Sequence, residues 1–69
     1  MIMIPVSSSN LLSVGYDTKG KALYINFHSG NYVYYNVPEN VYEGLLNAPS
    51  KGRYHHLFIK NSYQYSKLF

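Results

Sequence analysis

Apolar and polar residues alternate most regularly between Leu23 and His28. There Leu23, Ile25 and Phe27 trade places with Tyr24, Asn26 and His28. A period of two belongs to a pleated strand with one face buried. Asn31–Val37 repeats the pattern, with Val33, Tyr35 and Val37 on one side and Tyr32, Tyr34 and Asn36 on the other. Its β-branched and aromatic content suits a strand. Between the two, Ser29-Gly30 reads as a two-residue hairpin connection. Upstream, Leu11–Tyr16 reads as a further strand. It ends in the turn Asp17-Thr18-Lys19-Gly20, where Asp accepts from the backbone ahead and Gly takes a positive φ. Met1–Val6 is apolar, but Pro5 restricts it to an edge strand, and Ser7–Asn10 is a polar break.

The period changes after Pro38. The fixed φ of proline suits the first position of a helix, and Glu39 favours the positive end of the helix dipole. Val41, Tyr42, Leu45 and Leu46 fall on one helical stripe. Gly44 within that helix costs up to about 1 kcal/mol relative to alanine, which a close approach to the sheet would explain. Pro49 closes the helix. Ser50 is placed to cap a second helix from Lys51 to about Lys60, with Tyr54, Leu57 and Phe58 at i, i+3 and i+4. The rival reading is an aromatic-rich strand, His56–Tyr65; the serine cap and the spacing favour the helix, and Gly52 counts against it. Tyr63–Phe69 then forms an extended tail. The expected fold class is α+β, in a single domain spanning residues 1–69. A three-stranded antiparallel β-meander carries one helix packed on its aliphatic face and a second short helix. Leu23, Ile25, Phe27, Val41, Leu45, Leu46 and Ile59 are its expected core.

Composition changes this picture in one respect. Nine tyrosines occur in 69 residues, with no cysteine. A phenol ring buries apolar area, but its hydroxyl needs a partner or water. A chain this short hides only about 60% of its unfolded surface, so some rings are expected to lie outside a dry core. Without disulfides, self-association is the staple left to a small domain, and a homo-oligomer is expected. No segment reaches the about 20 apolar residues that span a membrane, and the apolar opening lacks a basic n-region. A soluble cytoplasmic protein is therefore expected. The net charge of +3 is unevenly spread. Ser50–Phe69 carries Lys51, Arg53, Lys60 and Lys67 and no acid, whereas the preceding residues sum to −1. Such asymmetry suits an anionic partner.

The order of several short elements carries a resemblance. Ser7-Ser8 is followed by Val14-Gly15-Tyr16-Asp17, Leu23-x-Ile25-x-Phe27, Gly30-x-Tyr32-x-Tyr34 and Val37-Pro38. Val41-Tyr42, Leu45-Leu46, Ser50-x-Gly52-x-Tyr54, Ile59-Lys60 and Tyr63 complete the string. From Val6 to Tyr65 the chain resembles the KTSC domain, a small family named after an appendage at the C-terminus of some lysyl-tRNA synthetases. The domain also occurs alone in bacterial and phage proteins. The resemblance implies RNA binding, by analogy with the synthetase. For a solitary domain it also implies a phage-type protein that binds a host component. Tyr35 departs from the pattern, making three aromatics in four residues.

Two groups are candidate sites. If the hairpin closes at Ser29-Gly30, Tyr24 faces Tyr35, and Tyr32 and Tyr34 share a face with Leu23, Ile25 and Phe27. Tyr32 and Tyr34 are then core rings whose hydroxyls reach the rim, and Tyr24 and Tyr35 become the exposed rings. A bulge would reverse this and make Tyr32 and Tyr34 a stacking platform, worth about 1–3 kcal/mol per base. The second group is Lys51, Arg53, His55, His56 and Lys60. Backbone N–H groups at a helix start attract anions, and the cations add charge; a plain solvated cap is the alternative. His55 and His56 are adjacent and do not both reach one metal, so no metal or cofactor is expected. Three carboxylates and no Ser–His–Asp pattern give no catalytic set. The expected function is non-enzymatic binding of nucleic acid, RNA before DNA. The alternative is a small homo-oligomeric phage-type protein that captures a nucleotide-like ligand or inhibits a host protein.

Overall fold

Strand pairing follows the alternating pattern. In the computed structural model, which describes residues 1–69, β1 (Ile4–Pro5), β2 (Leu11–Asp17), β3 (Ala22–Phe27), β4 (Gly30–Tyr34) and β5 (Tyr65–Lys67) form one antiparallel sheet in chain order. The expected meander is its centre, and one short strand extends it on either edge. Helix α1 (Glu39–Asn47) and helix α2 (Lys51–Tyr54) lie between β4 and β5 in the chain. Helix α2 runs directly into a π-helical turn, His55–Ile59. The α+β architecture is thus the one the pattern predicts, and the helix, not the strand, occupies residues 51–59.

The β3–β4 hairpin differs in its turn. Phe27 pairs with Gly30, Asn26 with Asn31, Tyr24 with Val33, and Leu23 with Tyr34, so His28-Ser29 is the loop and not Ser29-Gly30. The pairing shifts by two positions, an even number, so every face assignment survives. Gly30 opens β4 at φ 154°, a backbone conformation L side chains avoid. A Cβ there would lie 2.7 Å from the Phe69 carbonyl oxygen and 2.8 Å from Lys67 Cε. Strand β4 also stops earlier than expected, because Asn36 takes a left-handed φ of 56°. In the β2–β3 turn Asp17 accepts from the Lys19 N–H at 3.1 Å as anticipated, but the left-handed residue is Lys21, not Gly20.

Pro38 caps α1, and Glu39 is its first helical residue. The Ser50 hydroxyl accepts the Arg53 N–H at 3.3 Å, the N-cap bond its position suggests. Gly44 is required by a close approach, although the neighbour is α2 and not the sheet. A Cβ at Gly44 would overlap the Tyr54 hydroxyl. The core joins Leu11, Val14, Leu23, Ile25, Phe27 and Tyr34 of the sheet to Val37, Leu45 and Ile59. Val41 and Leu46 are half-buried against it.

Candidate functional site

Register brings an aromatic row onto the inner face of the sheet. Leu23 pairs with Tyr34 and Tyr34 with Tyr65; Ile25 pairs with Tyr32 and Tyr32 with Lys67. Paired residues share a face, so Tyr32, Tyr34, Tyr65 and Lys67 lie on the same side as the aliphatic core. The helices cover the β2–β3 part of that face, where Leu23 and Ile25 are fully buried. Toward β5 the cover ends and a half-open cleft of about 240 Å³ remains. Phe27, Tyr32, Tyr34 and Tyr65 line it from the strands, His55 and Lys60 from the end of the helical segment, and Asn10 and Ser29 from loops. No carboxylate is among these residues.

The rings pack on one another. Tyr34 and Tyr65 have centroids 5.6 Å apart, Tyr32 and Tyr65 5.8 Å, and Tyr32 and Tyr34 6.5 Å at 25°. Phe27 meets Tyr32 edge-on at 5.5 Å and His55 edge-on at 4.9 Å. Such offset and edge geometries are the favoured ones for aromatic pairs. Lys67 Nζ lies 6.0 Å from the Tyr32 centroid, within cation–π reach.

One polar pair is buried beneath these rings. The Tyr34 hydroxyl and His55 Nε2 are hydrogen-bonded at 2.7 Å. Burial, then the nearby Tyr32 and Tyr65, push the Tyr34 phenol up to about 12. Burial, then the charges of Lys60 and His56, hold the His55 imidazole down at about 4. Both groups are therefore neutral at pH 7, and the hydroxyl donates to Nε2 when the ring proton sits on Nδ1. An uncharged pair here satisfies two polar groups without the cost of burying an ion.

The π turn determines which side chains reach the cleft. Lys60 donates its N–H to the His55 carbonyl at 2.8 Å, the i→i+5 bond of a widened turn. In an α-helix each residue advances about 100°, which sends positions i and i+5 to different sides. The wider turn advances less per residue, so His55 and Lys60 both border the cleft while Ile59 enters the core.

The sequence candidates separate in space. Tyr32, Tyr34, His55 and Lys60 meet in the cleft. Tyr34 is buried, Tyr32 half-buried, as the hairpin parity implied. Tyr24 and Tyr35 belong to the opposite face. Tyr24 is half-buried there, and Tyr35 is exposed with its hydroxyl donating to Ser66 Oγ at 3.0 Å. Lys51 donates to the Ala48 carbonyl at 3.0 Å, stabilising the end of α1. Arg53 is exposed beside a second, mostly apolar groove that includes Pro49, Tyr54, Leu57 and Phe58. His56 points to solvent. The expected basic cluster is therefore divided, and only Lys60 and His55 of it border the aromatic cleft. Tyr65, Phe27, Asn10 and Ser29 complete the lining, with Lys67 beside the Tyr32 ring, and were not anticipated there. No three His, Cys, Asp or Glu side chains lie close enough to hold a metal ion, and no helix is long and apolar enough to cross a membrane.

Comparison with known proteins places this geometry in a family. The family described as KTSC domain matches residues 7–63. The lysine–tRNA ligase of Trichormus variabilis is 46% identical over 54 residues, which is 77% of this chain and 10% of the ligase. The chain thus spans about a tenth of the length of that relative. A protein of Stutzerimonas stutzeri is 37% identical over 70 residues, covering 99% of both chains. The crystal structure of a KTSC domain protein from Yersinia pestis superposes with a TM-score of 0.96 at 39% identity, covering 99% of this chain and 97% of that one. The chain belongs to the KTSC domain family.

Proposed function

We propose that this protein is a non-enzymatic module that binds single-stranded RNA across the aromatic cleft. The observation that carries this reading is the composition of the cleft: four aromatic rings, a neutral imidazole and Lys60, with Lys67 against the Tyr32 ring and no acid among the lining residues. Flat rings accept the face of any base, at about 1–3 kcal/mol per stacked base, and lysines hold the phosphates that accompany it. The relatives named lysine–tRNA ligase favour RNA over DNA as the partner. A cysteine-free chain suits a reducing cytoplasm. We assign the module no chemistry of its own. His55 is tied to Tyr34, and the cleft holds no carboxylate with which it would form an acid–base pair.

Anisotropy of a labelled short single-stranded RNA, titrated with the protein at several salt concentrations, tests this. Two lysine–phosphate contacts give a log–log salt slope of about −1.4, or roughly a sevenfold loss between about 50 and 200 mM. Absent binding, or affinity indifferent to salt, would overturn it. A second reading is a small homo-oligomeric phage-type interaction protein. It draws on Met1, Ile2 and Ile4, apolar and exposed beside the short edge strand β1. Light scattering that finds a monomer at high concentration would remove it.

A further inference from the structure

We infer that the cleft takes one unpaired nucleobase of the bound strand, with the phosphates on its two sides held by Lys60 and Lys67. The inference rests on the RNA-binding reading above and assigns the residues that perform it. Size comes first. At about 240 Å³ the cleft is smaller than the roughly 300–1,000 Å³ of drug-sized sites, which fits one flat ring system and not a stack of two.

Ring spacing then fixes how the base enters. A base slipped between two rings needs two contacts of about 3.5 Å, roughly 7 Å in all. Tyr65 lies 5.6 Å from Tyr34 and 5.8 Å from Tyr32, so the tyrosines are already in contact with one another. The base therefore stacks against the group from its open side, and Tyr65, 55% exposed, offers the accessible ring. Asn10 carries a donor and an acceptor on one side chain, and Ser29 a hydroxyl; both border the same space and suit a base edge. Charge follows the same layout. Lys60 lines the cleft and Lys67, the strand partner of Tyr32, holds its Nζ 6.0 Å from that ring, so a strand whose base enters the cleft meets two separate cations.

The experiment compares a 5′-mononucleotide, AMP or UMP, with a short single-stranded RNA, using amide and tyrosine NMR shifts of the whole chain. We expect the mononucleotide to shift Asn10, Tyr32, Lys60 and Tyr65 and to compete with the RNA for the same signals. Tyr65→Ala weakens both ligands about tenfold. Lys60→Ala and Lys67→Ala each reduce the salt slope of RNA binding by about 0.7. Both lysines carry exposed side chains, and an unchanged amide spectrum elsewhere verifies the fold. RNA binding that leaves the cleft signals in place and survives Tyr65→Ala would overturn this inference while RNA binding itself stands. Failure of both ligands to bind would overturn the inference and the proposed function together. Mononucleotide binding in the cleft without RNA binding would overturn both as written, and would leave a free-nucleotide pocket.

Discussion

Two groups of tyrosines share a composition and differ in fate. Tyr16 on β2 and Tyr42 on α1 stack nearly parallel, 13° apart with centroids at 5.1 Å, and join sheet to helix. The Tyr16 hydroxyl donates to the Val37 carbonyl, which ties down the segment leading into α1. Burial raises both phenols above their usual range; for Tyr16 the charges of Glu39 and Asp17 add to it. Tyr32, Tyr34 and Tyr65 lie on the same inner face, toward the β5 edge of the sheet. There only Tyr34 has its hydroxyl tied, to His55, and the group opens on solvent. What separates the two groups is cover. A helix lies over one and ends short of the other, so identical side chains are packed as mortar in the first and border an open cleft in the second.

The largest effect expected from breaking this division is Tyr16→Ala. Loss of a packed aromatic from a core edge costs about 3 kcal/mol, read as a lower urea midpoint, while the folded fraction keeps its RNA affinity. If affinity falls with the protein fully folded, the division is wrong. The converse variant, Tyr65→Ala, lowers RNA affinity about tenfold, or 1.4 kcal/mol, and changes unfolding stability by less than about 1 kcal/mol. Within the second group stands His55, bonded to Tyr34, whose folded value of about 4 lies below its usual 6.5. The unfolded chain therefore binds more protons in that window, so stability is full at pH 7 and falls as pH drops from 6.5 toward 4. Unfolding midpoints measured across that range detect it, and His55→Gln flattens the profile. A smaller change, about 1 kcal/mol, is expected for Tyr16→Phe, which removes one hydrogen bond and keeps the stack. Tyr35→Phe is the control: its bond to Ser66 is exposed, and the change should stay within about 0.5 kcal/mol in stability and leave binding untouched.

Much of the fold was legible because it rests on periods and on strong local residues. Alternation at Leu23–His28 and Asn31–Val37 gave the central hairpin, and its even-numbered slip at the turn preserved which face Tyr32 and Tyr34 occupy. Ser50 and Pro38 marked helix starts that the structure contains. Gly44 announced a crowded position, with the neighbour misassigned because Tyr54 approaches from a later helix. The cleft was only partly legible. Tyr65 and Lys67 belong to a three-residue strand, exposed throughout, too short for alternation to register. Asn10 and Ser29 are loop residues placed by tertiary contact, which no local period encodes. Lys51, Arg53 and Lys60 looked alike as charges on one segment. Capping of α1 removes the first, helix rotation turns the second outward, and the π turn directs the third inward.

That widened turn lets the helical hydrogen-bond pattern decide where one cation stands. At unchanged length, relaxation of His55–Lys60 to ordinary helical hydrogen bonding would place the lysine about 140° around the axis from His55 and take it out of the recess. Removing one residue between His55 and Lys60 as well would bring the lysine back to within about 40° of His55, four helical steps away, and the recess would keep it. A one-residue deletion at this step is thus expected to disturb the cleft less than a substitution that straightens the turn at full length.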